Sequence, residues 1–265
     1  MLRRFRYRES SLVCHLLTPD HGRVAILAKG AYRPKSAYSG VLDLFDTLCL
    51  SWTAGTDLGN LHSGSISVRR RALSRDLDRY RAGLRILELA RLGARAGHEE
   101  RDLFAETEEA LDALALGQQD AALVCTVFDL KFLRVQGLTP ALTHCAACGS
   151  PANAERSGRQ RALFSPALGG RLCTPCAEVL RASSDPDRFR GRRRRRPLLE
   201  EHALGSIKVA QSLLDTPWHD LPRIRLDPGR TEGLRVFVSR FLEYHLEARP
   251  RVAGPLPGRG ARTRP

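Results

Sequence analysis

"SLVCHLLTPDHGRVAILAK", residues 11–29, decides how the first quarter of the chain folds. Two short apolar runs, 11–17 and 23–29, flank the turn-forming stretch Pro19-Asp20-His21-Gly22. The runs 42–52 and 61–68 repeat the pattern, separated by residues 30–40 and by Ala54-Gly55-Thr56-Asp57. "LRRFRYR" (2–8) offers a fifth strand. Short strands at this even spacing predict a small β barrel or sandwich over residues 1–73.

The period changes after that. Leu77, Tyr80, Leu84 and Leu87 fall at helical spacing with Ser74 as an N-cap, and residues 103–116 and 120–138 continue as amphipathic helices. A Gly-, Pro- and Ser-rich segment, 144–180, interrupts the helical part. Helix is expected again at 199–214 and 231–247, where Leu234, Phe237, Phe241 and Tyr244 share a face. The expected partition is a β domain (1–73), a helical domain in two parts (74–143 and 181–248) and a cysteine insertion (144–180). A basic tail (249–265), rich in Pro and Gly, is expected to be disordered. The fold class is α+β and multi-domain.

The insertion carries Cys145-x2-Cys148 and, 24 residues on, Cys173-x2-Cys176. A two-residue spacing lets both thiolates of a turn reach one ion, and two such pairs close a tetrahedron with no open position for substrate. That predicts one structural Zn2+, a clip for an insertion too small to build its own core. A redox Cys-x-x-Cys would follow a strand in a βαβ unit, which is absent, and one redox pair does not explain two. Another metal is the remaining alternative. His144 is a spare candidate ligand, though more simply a solvated side chain. Cys14, Cys49 and Cys125 lie in apolar surroundings and read as small buried hydrophobes.

Charge points to the partner. Lys and Arg total 43 against 29 Asp and Glu, for a net charge of +14. Only Lys29, Lys35, Lys131 and Lys208 are lysines. Genomic base composition explains Arg in place of Lys, but not the surplus over acidic residues, and a field of this sign attracts nucleic acid. "GRVAILAKGAYRPKSAYSG" (22–40) interleaves Arg23, Lys29, Arg33 and Lys35 with Tyr32 and Tyr38. Cations for phosphate beside rings for bases are what single-strand-binding barrels use; a solvated hairpin loop is the plainer reading. "SVRRR" (67–71) adds Arg69, Arg70 and Arg71 where the barrel joins the helices. The run "FRGRRRRRP" (189–197) and the tail are either phosphate contacts or solubilising charge.

No phosphate-cradling, dinucleotide-binding or zinc-protease motif is present, so no enzymatic activity is expected. No apolar run approaches a membrane span, and the basic N-terminus has no apolar stretch behind it, so a cytoplasmic location is expected.

The stretches "YRESSLV" (7–13), "GRVAILAKGAYRPKS" (22–36), "TVFDLKFLRVQGLTPALTHCAACG" (126–149), "FSPALGGRLCTPC" (164–176) and "FVSRFLEYHL" (237–246) resemble the bacterial recombination-mediator family RecO. The resemblance implies an N-terminal OB-fold barrel and a helical domain with, in many members, an inserted four-cysteine zinc module. It also implies binding of single- and double-stranded DNA, annealing of complementary strands, and action with RecR. Together with RecR, such a protein helps load RecA onto single strands coated by SSB, and a helical surface takes the SSB C-terminal tail. The location implied is bacterial cytoplasm, at the nucleoid. Carried over, Cys145, Cys148, Cys173 and Cys176 resemble the zinc ligands, and Arg23, Lys29, Arg33 and Lys35 the DNA contacts. The chain begins only a few residues before Tyr7, so a shortened first barrel strand is expected. The arginines at 192–196 and the tail depart from the family pattern. An RNA-binding OB/zinc-ribbon protein is the alternative function.

Overall fold

The computed structural model describes residues 1–152, 161–183 and 199–246. The arginine run at 189–197 and the tail from 249 lie outside the described residues. The chain divides into two compact units, Met1–Phe128 and Asp129–Arg249.

The first unit opens with β1 (Arg3–Tyr7), β2 (Ser11–Thr18), β3 (Gly22–Ala28), β4 (Thr47–Thr53) and β5 (Gly59–Val68). They form one sheet in the order β1-β2-β3-β5-β4. All pairings are antiparallel except β3 with β5, where Ile26 and Leu27 meet Gly59 and Asn60. Five strands curled in this order make a partly open, OB-like barrel. Register explains the interior: Leu12 pairs with Ala28, Cys14 with Ile26 and Leu16 with Val24. Side chains two apart share a face, so these residues meet Leu42 and Leu61 inside the barrel. The fifth strand anticipated in "LRRFRYR" is present as β1.

β4 starts later than the apolar run 42–52 suggests. Phe45 takes a positive φ of 70° and turns its ring inward, where it meets Tyr80 edge-on at 5.5 Å. It lies against Gly83, where a Cβ would come within 2.7 Å of the ring. Residues 42–46 therefore leave the sheet: Leu42 joins the barrel interior and Phe45 packs on α1.

Helices α1 (Leu77–Gly93) and α2 (Arg101–Leu116) belong to the same unit. Asp76, not Ser74, caps α1, accepting from the Arg79 amide at 2.9 Å. The Arg23 amide donates to Arg95 O at 3.0 Å, and the Arg23 guanidinium to Arg91 O at 3.3 Å. These ties and the Phe45 contact hold α1 against the barrel within the first unit, and the two units divide beyond it. The division falls inside α3 (Ala121–Val135), whose Val124, Phe128, Leu130, Phe132 and Leu133 are fully buried.

The second unit holds β6 (Arg161–Ser165), β7 (Gly170–Leu172), α4 (Thr174–Ser183), β8 (Glu200–Ala203), α5 (Leu204–Asp215) and α6 (Pro228–Leu246). The strands form a sheet in the order β7-β6-β8. Residues 200–203, expected to begin a helix, instead pair with β6 from Phe164–Glu200 to Arg161–Ala203. The cysteine segment is thus completed by a strand from beyond residue 180. Phe164 of β6 meets Phe237 at 4.6 Å and Phe241 at 5.7 Å, tying this sheet to the apolar face foreseen on α6. Among the described residues no helix is long and apolar enough to cross a membrane.

Candidate metal centre and nucleic-acid interface

The first Cys-x-x-Cys sits in a tight knuckle. The Cys145 amide donates to Ser150 O at 2.8 Å and the Gly149 amide to Cys145 O at 2.8 Å. Gly149 has φ of +73°, which suits glycine there. The second pair straddles a junction: Cys173 follows β7, and Cys176 lies in the first turn of α4. Backbone bonds draw the two together, Ala146 N–H to Arg171 O at 2.7 Å and Arg171 N–H to Ala141 O at 2.8 Å.

The four sulfurs lie within 4.8 Å of one another. A tetrahedron with metal–sulfur bonds of about 2.3 Å has edges of about 3.8 Å, and Cys148 Sγ lies 3.8 Å from Cys173 Sγ. All four cysteines are free thiols. Their proton affinities diverge. Burial works to raise Cys145, but the amides of Cys173, Cys148 and Ala147 overcome it and bring its pKa down to about 6. The Ser150 amide and hydroxyl lower Cys148. Cys176 is pushed up to about 12, first by the Cys173 and Cys148 thiols. Four thiolates this close need a cation between them, and the donor set fits a soft or borderline one. Among the described residues the buried cluster beneath is Cys145, Leu163, Leu172 and Ala177, a core too small to hold the segment alone. His144 is exposed, bonds to the Thr143 hydroxyl at 2.9 Å, and takes no place in the cluster.

The basic residues separate into groups. Lys29, Tyr32, Arg33 and Lys35 are all exposed on the loop between β3 and β4. The loop is fixed by its backbone: the Tyr32 amide donates to Ser10 O at 2.9 Å and the Arg33 amide to Gly30 O at 3.0 Å. Tyr32 is 53% exposed, with the Arg6 guanidinium 5.4 Å from its ring centre. Tyr38 differs, its hydroxyl donating to Leu61 O at 3.0 Å, and serves the fold. Arg69 and Arg71 are exposed beyond β5, and Arg69 reaches the same loop through Gly40 O at 2.8 Å. Arg23 stands apart, six residues along β3 from Lys29 and so about 20 Å away.

Arg70 corrects the sequence reading. Its side chain is only 2% exposed. It donates to both oxygens of Asp112 at 2.6 and 3.0 Å, to Phe45 O at 2.8 Å and to the Thr47 hydroxyl at 2.8 Å. Four of its five N–H donors are so occupied, Glu108 lies 3.8 Å from Nη2, and burial keeps the guanidinium from phosphate. Cys49 is a second correction: on β4 it is exposed, not buried.

Sequence reasoning foresaw β1 as a strand but missed its side chains as a candidate surface, although every residue of it is exposed. "RRFRYR" alternates arginine with aromatic residues at strand period, and that alternation on an outermost strand was the available signal.

Comparison with known proteins closes the identification. Residues 1–68 match the family model described as Recombination protein O N terminal, and residues 74–253 the one described as Recombination protein O C terminal. The DNA repair protein RecO of Anaeromyxobacter sp. (strain K) is 32% identical over 251 residues, spanning 94% of this chain and 90% of that protein. That of Moorella thermoacetica is 28% identical over 246 residues, 92% of this chain and 84% of that protein. That of Rhodopirellula baltica is 37% identical over 178 residues, 66% of this chain and 64% of that protein. With an OB-like barrel, helices and a four-cysteine cluster arranged in the order those matches cover, the chain belongs to the RecO family of DNA repair proteins.

Proposed function

We propose that this protein binds single- and double-stranded DNA and anneals complementary strands. With RecR it helps load RecA onto SSB-coated single strands, at the nucleoid of a bacterial cell. The observation that carries this reading is the backbone-anchored loop on which Lys29, Tyr32, Arg33 and Lys35 are exposed, flanked by Arg69 and Arg71. Annealing requires neutralising two phosphate chains at once without gripping either set of bases. Long cationic side chains on an anchored loop meet that need, because the backbone holds the cluster in place while each side chain follows its phosphate. Arg23 supplies field from the far end of β3, and Arg70 positions the barrel against α2. The reading also includes a partner surface for RecR and a site for the SSB C-terminal tail.

The metal in this reading is one Zn2+ held by Cys145, Cys148, Cys173 and Cys176. With four protein ligands it is structural, and it plays no part in strand chemistry.

The test is annealing of SSB-coated complementary strands with and without RecR. The full chain should anneal above background. Lys29→Ala/Arg33→Ala/Lys35→Ala should anneal poorly, with a log–log salt slope for single strands shallower by about 2, three contacts at about 0.7 each. An unchanged slope, or tighter binding to RNA than to DNA without annealing, would favour the RNA-binding alternative.

A further inference from the structure

The outer face of the β1–β2–β3 sheet carries a second set of rings and cations. Arg3, Phe5 and Tyr7 pair with His15, Val13 and Ser11. These positions alternate with the barrel-interior residues Leu12 and Cys14, so Phe5 and Tyr7 face away from the interior. Phe5 is 40% and Tyr7 38% exposed. Each ring has a cation: the Arg3 guanidinium lies 5.8 Å from the Phe5 centre, and that of Arg8 lies 5.3 Å from the Tyr7 centre. Two residues apart on a strand, the rings are about 6.8 Å apart, twice the roughly 3.4 Å rise between stacked bases.

The charge of this face is a separate observation. Arg23 of β3 and Arg91 of α1 join Arg3 around His15, whose pKa is lowered by burial and then by those three guanidinium groups. Among the described residues neither Arg3 nor Arg8 has an acidic partner. Exposed rings set in an uncompensated positive field fit a polyanion that offers flat apolar faces.

We propose that Phe5 and Tyr7, with Arg3 and Arg8 beside them, form a stacking strip for unpaired bases that gives this barrel a preference for single-stranded over duplex DNA. It rests on the DNA-binding reading and adds a division of labour to it. Base faces are hidden in a duplex, so the rings act on single strands alone, whereas the arginines meet phosphate in both forms.

The experiment compares full-length protein with Phe5→Leu/Tyr7→Leu, using fluorescence anisotropy on an oligothymidylate and on a duplex of equal length. Leucine keeps apolar bulk on the strand but removes the π face. Single-strand affinity should fall about 10-fold per ring, with duplex affinity within twofold and the salt slope unchanged. Arg3→Ala/Arg8→Ala should weaken both forms and flatten both slopes. Phe5→Trp/Tyr7→Trp, which restores the rings, should keep single-strand affinity and guards against a folding defect in the leucine pair. Equal losses on both DNA forms, or no loss on single strands (the result for a protein-docking face), would overturn the proposal. If the unmodified chain binds neither form, the DNA-binding reading fails with it; if it binds both and the leucine pair does not discriminate, only the strip fails.

Discussion

Replacing Arg70 by methionine should destabilise the protein without acting through DNA. The substitution removes a bidentate, charge-assisted contact to Asp112 and the donor to Phe45 O, within a side chain that is 2% exposed. Breaking a buried pair by deleting one partner costs about 3–5 kcal/mol. Asp112 is 49% exposed and regains water when released, which reduces its share to about 2 kcal/mol. The stranded Phe45 carbonyl adds about 1 kcal/mol. The sum is about 3 kcal/mol, read as a lower urea midpoint with an unchanged slope. Asp112→Asn should cost less, because Arg70 keeps its bonds to Phe45 O and the Thr47 hydroxyl. Arg71→Ala should stay within about 0.5 kcal/mol of the parent. Arg69→Ala, which loses its bond to Gly40 O and its ion pair with the buried Asp46, should stay within about 1 kcal/mol. Both should lower DNA affinity. If Arg70→Met leaves the midpoint unmoved and weakens DNA binding as its neighbours do, the burial assigned to Arg70 is wrong.

Three other outcomes are expected. Metal analysis should find about one zinc per chain; Cys176→Ser should lower that content and the thermal midpoint, with oligothymidylate affinity changed less than twofold. Gly170→Ala would place a Cβ 2.6 Å from Ala141 O, so it should part β7 from residue 141 and cost about 2 kcal/mol, seen as a lower melting temperature and lost zinc. Stability should fall as pH drops below about 6.5. Burial lowers the pKa values of His15, His202 and His245, Glu200 opposing it at His202 and the Pro166 backbone at His245. The unfolded chain then binds more protons than the folded one in that window, and protonation favours unfolding. Urea midpoints at pH 7.5 and 5.5 measure the difference, and a midpoint that rises on acidification would contradict it.

What could be read from sequence was whatever local pattern determines. Residues 11–29 specify a hairpin because both apolar runs and the turn lie within one short segment, and β2 and β3 follow them closely. The cysteine cluster was legible because its spacing is itself the chemistry. Long-range pairing was not. Residues 200–203 have helical neighbours and become a strand only because β6 offers an edge. Arg70 is one of three consecutive arginines, and nothing local distinguishes the one that turns inward to Asp112. Ser74 is a good capping residue, but the 3-10 turn over Arg71–Arg75 delays α1 until Asp76 takes that role.

The backbone bonds that join the two cysteine knuckles also bear on when the metal arrives. Twenty-four residues separate Cys148 from Cys173, and bringing the ends of such a loop together costs about 3 kcal/mol of chain entropy. Ala146 N–H to Arg171 O, with the β6–β7 pairing, offsets that cost before any ion binds. The ion then meets four sulfurs already at high effective concentration, through the exposed Cys148. Metal capture should then be a late step that locks knuckles already held near each other, and a bound ion should exchange with a chelator faster than the second unit unfolds.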